Sequence, residues 1–280
     1  MRMIPDVPWT VRVADLGPVR IRLRQHRWYL WEKFAQSDTL MLGVFNRMIR
    51  PGDVVYDIGA NIGVYSRVMV QWFGASKLIA FEPMAGNFEL LTANAELGRL
   101  QDRVRTFRMA LSDTNGEEEL QIDDMTSGTA VLNSVSGGAA SDGRQSFGLG
   151  PLTERVKIAR LDDLVSRESL PPPQMMKIDT EGAEVKVLTG ARAMLMTHHP
   201  RLAIALHGED KARGTIALLA ELGYTVCGFV ADPESKTGGS VYRILQPGDA
   251  PVLANNNVVA SRDPADVVTE IMPQNPGPRQ

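Results

Sequence analysis

Apolar and polar residues alternate near the start of the chain. Val11, Val13, Val19, Ile21 and Leu23 are interleaved with Arg12, Arg20, Arg22 and Arg24. A period of two predicts a two-stranded hairpin turning at Asp15–Pro18, with the arginines on one face. That face reads first as solvated surface, and second as a surface that greets an acidic substrate or a partner subunit. Trp28, Tyr29, Trp31 and Phe34 follow and predict a lid or N-terminal helix packed on the core. Leu40, Val44 and Met48 fall at helical spacing. They predict a helix over 37–49, with Ser37 as its N-cap and Pro51-Gly52 as its break.

From Val54 the pattern becomes short apolar runs separated by glycine turns and amphipathic stretches. Val54–Asp57, Lys77–Phe81, Val104–Leu111, Met175–Asp179 and Arg201–Leu206 read as strands. Helical patterns over 64–73, 87–97, 183–196 (interrupted at Gly190) and 215–222 alternate with them. This rhythm predicts a doubly wound α/β fold with a mostly parallel sheet. It is broken after Asn115-Gly116, a favoured hairpin turn, by a strand over 117–122 and a Ser/Gly-rich stretch over 126–150. That stretch reads equally as a substrate lid and as a plain flexible insertion. Tyr224–Phe229 and Val241–Leu245 predict a closing antiparallel pair, and the Pro-, Asn- and Asp-rich residues from Gly248 predict a tail. The expected organisation is an N-terminal extension over 1–50, a main domain over 51–247 with an insertion over 117–160, and a C-terminal tail over 248–280.

The chemistry concentrates where the strands end. In a doubly wound sheet, ligands sit outside the carboxyl ends of the strands, and Asp57, Glu82, Ser112-Asp113, Asp179 and His207 all fall there. The first strand runs into a turn, Asp57-x-Gly59-x-x-x-Gly63, and then a helix. Gly59 is expected to let backbone approach a ligand, and Gly63 to let the new helix pack close to the sheet. The spacing is not the dinucleotide G-x-G-x-x-G. An acid at position 57 would repel a pyrophosphate and suits a ligand carrying an ammonium group. Glu82, at the next strand tip, can accept two hydrogen bonds from a ribose diol.

DIGANIG (57–63), FEP (81–83) and KIDTEGAE (177–184), in this order and at these distances, resemble the FkbM-type methyltransferases, which use S-adenosylmethionine. The resemblance covers roughly residues 51–207. It implies the Rossmann-like, seven-stranded, mostly parallel sheet of class I methyltransferases. It also implies a hydroxyl acceptor on a sugar, glycolipid or polyketide-type natural product. Asn61 and the backbone of Gly59, Ala60 and Gly63 would then face the methionine end, with Asp57 orienting the loop. Glu82 would take the ribose, Ala110 and Leu111 would cradle the adenine, and Ser112 or Asp113 would reach its exocyclic amine. Methyl transfer needs an aligned acceptor atom and often a base. Asp179 and His207 are equal candidates for that base, and Glu181 is the third. Asp179, Glu181 and Glu184 could together hold magnesium, but their spacing is not diagnostic. A metal is compatible, not favoured, and no metal ligand is assigned.

Composition narrows the partners. The 280 residues carry a net charge of −3, with 44% hydrophobic and 22% charged residues. Nothing in that balance attracts nucleic acid or an anionic membrane. There is no run of the ~20 apolar residues needed to span a bilayer. The single cysteine, Cys227, excludes an intramolecular disulfide. With no signal-peptide core at the start, the expectation is a soluble cytoplasmic protein acting on a small molecule or glycan, as a monomer or homo-oligomer. Two other readings compete. One is a nicotinamide-dependent oxidoreductase, which Asn61 and Asp57 disfavour. The other is a non-catalytic, cofactor-bound subunit that docks a partner through the N-terminal arginines and the insertion.

Overall fold

The computed structural model describes residues 7–13, 16–26, 39–124, 129–138, 142–231, 240–248 and 253–268. Its strands, in chain order, are β1 (Pro8–Val13), β2 (Gly17–Arg22), β3 (Val54–Ile58), β4 (Lys77–Phe81), β5 (Val104–Phe107), β6 (Ala110–Leu111), β7 (Gly116–Asp123), β8 (Thr129–Leu132), β9 (Thr153–Ala159), β10 (Met175–Ile178), β11 (Arg201–Ala205), β12 (Thr225–Ala231), β13 (Ser240–Leu245) and β14 (Leu253–Ser261).

Among the described residues the main sheet has eight strands, in the order β13-β12-β14-β11-β10-β3-β4-β5. The run β11-β10-β3-β4-β5 is parallel. Its strands are apolar almost throughout because helices cover both faces; all four residues of β10 are buried. On one face Val55, Leu78, Ala80 and Met175 pack under helices Thr39–Met48, Val64–Gln71 and Ala85–Leu97. On the other, Tyr56, Ile79, Phe81 and Met176 pack under helices Leu161–Glu168, Glu184–Gly190, Arg192–His198 and Glu209–Glu221. This is the doubly wound arrangement expected. β12 and β13 form the antiparallel pair expected at the edge, and β14 brings the sheet to eight strands where seven were expected. Among the described residues no helix is long and apolar enough to cross a membrane.

Two expectations are corrected. Residues 253–261, read as tail, form β14, which lies antiparallel between β11 and β12. Its asparagines hid it, but Val258, Val259 and Ala260 are buried and supply the apolar run that the sheet needs. The stretch over 126–150 is not a plain loop. β8 and the short helices Asn133–Ser136 and Asp142–Ser146 lie within it. β8 joins a second sheet of order β6-β9-β7-β8. Glu154 of β9 accepts the Ala85 N–H, tying this sheet to a main-domain helix. The expected interruption falls at Gly190, where only glycine fits because a Cβ would strike the Ser112 carbonyl.

The N-terminal hairpin forms as expected, with Val13, Val19 and Ile21 buried and Arg12 and Arg20 exposed. The aromatic cluster Trp28, Tyr29, Trp31 and Phe34, together with Asp15 and Ser37, lies outside the described residues. Two buried polar side chains hold the hairpin. Arg67 donates to the carbonyls of Leu16 and Pro18 at 2.6 and 2.5 Å. Asn94 accepts from the Arg20 N–H at 2.6 Å and donates to the carbonyls of Arg20 and Ile62 at 3.0 and 2.7 Å. Asn94 thus behaves as a fragment of strand edge for β2. Asn94→Ala should cost about 3 kcal/mol in urea unfolding, because each lost buried bond costs about 1 kcal/mol or more.

Candidate active site

The β3–β10 register places Lys177 beside Asp57, so both side chains share one face of the sheet. The Lys177 ammonium lies 3.3 Å from Asp57 Oδ1 and 3.4 Å from Asp179 Oδ2, and it donates to the Gly59 carbonyl at 2.7 Å. The ring of Tyr65 sits 5.6 Å from it. Ser66 donates to Asp57 Oδ2 at 2.6 Å. Both Asp57 and Lys177 are buried. Burial alone would depress the Lys177 pKa, but the carboxylates of Asp57 and Asp179 outweigh it and raise it. Asp57 therefore braces the turn.

Packing alone requires both glycines of the turn. Gly59 has φ 76°, and a Cβ there would fall on the Asp179 carbonyl. Gly63 has φ 80°, and a Cβ there would lie 2.5 Å from the Leu91 side chain. It lets one helix approach its neighbour helix, where closeness to the sheet was expected. Asn61 takes the left-handed conformation, φ 51°, and its N–H donates to Glu82 Oε2 at 2.9 Å. The Met84 N–H donates to Glu82 Oε1 at 2.9 Å. Burial pushes the Glu82 pKa up to about 7 against these two donors.

Gly59, Ala60, Asn61 and Glu82 border a cavity of about 330 Å³. Phe81, Met109, Ala110 and Leu111 give it an apolar wall, and Leu120, Thr129, Ala130 and Leu132 of the insertion close it. The Asn61 Oδ1 atom is buried with no partner among the described residues. Ser112 and Asp113, expected at the adenine end, do not border this cavity. The chain has already turned toward β9: the Ser112 N–H donates to the Ala159 carbonyl, its hydroxyl meets Asp113, and Asp113 pairs with Lys186 at 3.6 Å.

A second cavity, of about 320 Å³, lies beyond the tips of β10 and β11. It shares Tyr65, Lys177, Asp179 and Glu181 with the first and adds Met41, His207 and Asn257. His207 Nε2 is 3.7 Å from Asp179 Oδ1 and 3.5 Å from Glu181 Oε2. Its Nδ1 meets Glu184 Oε1 at 3.0 Å. Glu184, grouped in sequence with Asp179 and Glu181, therefore stands behind the imidazole instead. It is fully buried and also accepts the Gly182 N–H at 2.9 Å. Glu181 has φ 53°, a conformation that costs roughly 1–2 kcal/mol outside glycine.

The sequence pattern that defines the Methyltransferase FkbM domain matches residues 57–226. The chain belongs to the FkbM methyltransferase family. Among curated relatives, it is 29% identical to the 31-O-demethyl-FK506 methyltransferase FkbM of Streptomyces tacrolimicus, over 79% of this chain and 90% of that one. It is 26% identical to the AMB antimetabolite synthetase AmbE of Pseudomonas aeruginosa, over 76% of this chain but only 10% of that protein. It is 26% identical to the hexuronic acid methyltransferase AglP of Haloferax volcanii, over 60% of this chain and 62% of AglP. A solved FkbM methyltransferase from Methylobacillus flagellatus superposes with a TM-score of 0.44 at 16% identity, over 77% of this chain and 49% of that one. The family is one of methyltransferases, which overturns the nicotinamide-oxidoreductase reading.

In this FkbM-family methyltransferase, sequence reasoning quoted Lys177 without giving it a role. The signal was present, because a lysine inside the strand MMKI needs a buried partner. Tyr65 and Asn257 carried no signal. Their place at the cavities follows from helix and strand geometry alone.

Two outcomes follow from the burial of these charges. Lys177→Met should destabilise the protein by about 3–5 kcal/mol, because it strands Asp57 without its counter-ion. Adding Asp57→Asn should recover much of that loss in urea unfolding. Glu82 binds its proton more tightly folded than unfolded, so its contribution to stability is present below about pH 4.5 and is lost as pH rises to about 7. Glu82→Gln removes this slope. The variant-minus-wild-type unfolding free energy should rise by roughly 2–3 kcal/mol between pH 5 and pH 8.

Proposed function

We propose that the chain transfers a methyl group from S-adenosylmethionine to a hydroxyl oxygen of a sugar, glycolipid or natural-product acceptor. The observation that carries this reading is the pair of cavities with a common wall of Tyr65, Lys177, Asp179 and Glu181. The lining of the first suits a cofactor and that of the second an acceptor, and the wall is where the two would meet.

The first cavity fits the cofactor on three grounds. Glu82 presents a carboxylate already oriented by two backbone donors, ready to accept from a ribose diol. The wall of Phe81, Met109, Ala110 and Leu111 is apolar, as an adenine face requires. The unpartnered Asn61 Oδ1 and the acids about it favour the ammonium of the methionine end and a sulfonium. When bound, S-adenosylmethionine supplies an activated methyl on a cationic sulfur. The protein orients both partners and excludes water, with the insertion strands β7 and β8 over the cofactor side.

The acceptor side is polar, and its reactive groups are Asp179, Glu181 and His207. They hold the acceptor hydroxyl and draw off its proton as the methyl moves. The names of the relatives favour oxygen. One acts on 31-O-demethyl-FK506 and another on hexuronic acid.

Calorimetry tests the cofactor half. S-adenosylhomocysteine should bind with one site per chain, and NAD should not bind. Glu82→Ala should weaken binding at least about 150-fold, the equivalent of two charge-assisted hydrogen bonds of about 1.5 kcal/mol each. Because binding needs the ionised carboxylate, wild-type affinity should fall as pH drops below about 7, where Glu82 gains its proton. An unchanged affinity in Glu82→Ala would remove the assigned role.

A further inference from the structure

We propose that Asp179 Oδ1, Glu181 and His207 Nε2 form a binding site for one divalent cation of the magnesium–manganese class, facing the second cavity. The role assigned to it, holding neighbouring hydroxyls of the acceptor, rests on the methyl-transfer reading above. The binding of the ion itself does not.

The argument starts at His207. Its Nδ1 lies 3.0 Å from Glu184 Oε1, and an ionised carboxylate can only accept. Nδ1 therefore carries the hydrogen. In the neutral ring Nε2 then presents a bare lone pair to two more carboxylates, at 3.5 and 3.7 Å. Both distances are too long for good hydrogen bonds. Such an arrangement calls for positive charge between the three groups, which either a proton on Nε2, favoured by these carboxylates, or a bound cation that displaces it can supply. A carboxylate on the far nitrogen of an imidazole is also the usual support of a metal-ligating histidine.

The geometry suits an ion. One ligand atom from each of Asp179, Glu181 and His207 lies within 4.8 Å of the others. Around an octahedral ion with bonds of about 2.1 Å, neighbouring ligands sit about 3 Å apart and opposite ones about 4.2 Å. The two His207 distances fall between these limits. The oxygens are also divided cleanly. Asp179 gives Oδ2 to Lys177 and keeps Oδ1 for the cluster.

Two further observations point the same way. Glu184 is fully buried behind the imidazole and its Oε2 has no partner among the described residues, so this acid is held in place as a support for the ring. The three ligand side chains are in contrast 33%, 33% and 27% exposed, and all three border the second cavity. That leaves the outer side of the ion to water or to acceptor oxygens. Two carboxylates and one imidazole, with no thiolate, favour manganese or magnesium over a structural zinc.

The probe is Mn²⁺, titrated into the full chain at pH 8 and read by the loss of the free-ion electron paramagnetic resonance signal. Wild type should take up one saturable Mn²⁺ per chain. Glu181→Gln and His207→Gln should each weaken uptake at least about tenfold, and Glu184→Gln should do so through the imidazole. Glu221→Gln, an exposed partner of Arg192, should leave it unchanged. Glu181→Gln is decisive because it leaves the His207–Glu184 bond in place, and circular dichroism confirms the fold. No saturable uptake by wild type, or equal uptake by Glu181→Gln, would overturn the site. Calorimetry with S-adenosylhomocysteine on the same samples separates the two ideas. Binding of that compound without Mn²⁺ uptake removes the cation site and leaves the reaction standing. Mn²⁺ uptake without it keeps the site and removes the reaction.

Discussion

The ammonium of Lys177 holds the site together. It lies where β3 and β10 run side by side, in contact with Asp57, Asp179 and the carbonyl of Gly59. A buried lysine is tolerated only with counter-charges, and a buried aspartate has the same need. Neither can be removed alone without leaving a charge in the core. The pair therefore fixes the relative height of the two strands, and with it the separation of the two turns that follow them. Ser66 completes the Asp57 carboxylate from the covering helix, so the brace reaches out of the sheet.

From this brace the two cavities follow. The turn after β3 carries Asn61 toward Glu82, and the turn after β10 carries Glu181 toward His207. Each turn uses left-handed backbone, at Asn61 and at Glu181, to point a polar group across a strand boundary. Gly59 lets the first turn lie against the second, since any larger residue would strike the Asp179 carbonyl. Close contact between the two turns is what makes Asp179 and Glu181 a wall common to both cavities. A looser joint would leave two unrelated clefts.

Much of this was legible in the sequence, for reasons that differ by residue. The parallel strands announce themselves because strands covered on both faces must be apolar, and Glu82, Asp179 and His207 stand out as polar residues at their ends. β14 was not legible. Its N-terminal half reads Leu-Ala-Asn-Asn-Asn, and only pairing with β11 and β12 makes it a strand. The second sheet was hidden for a related reason. β8 has four residues, too few for a period to show, and gains its stability from β7. Ser112 and Asp113 were misplaced because position along a strand does not say which way the chain turns on leaving it. Here the Ser112 N–H pairs with β9 and its carbonyl lies against Gly190.

The histidine shows how tertiary structure can reassign a motif. Along the chain, Glu181 and Glu184 look alike, two acids near the start of one helix, and the helix dipole alone would account for both. The fold separates them completely. Glu184 is sealed beneath the imidazole, where its carboxylate meets Nδ1 and fixes the ring's direction. Glu181 is swung by its left-handed backbone to the open side of the same ring. One acid thus sets what the histidine presents, and the other shares what it presents to. The acidity of the acceptor side is therefore a consequence of the turn geometry, and any ligand that enters must meet Asp179, Glu181 and Nε2 together.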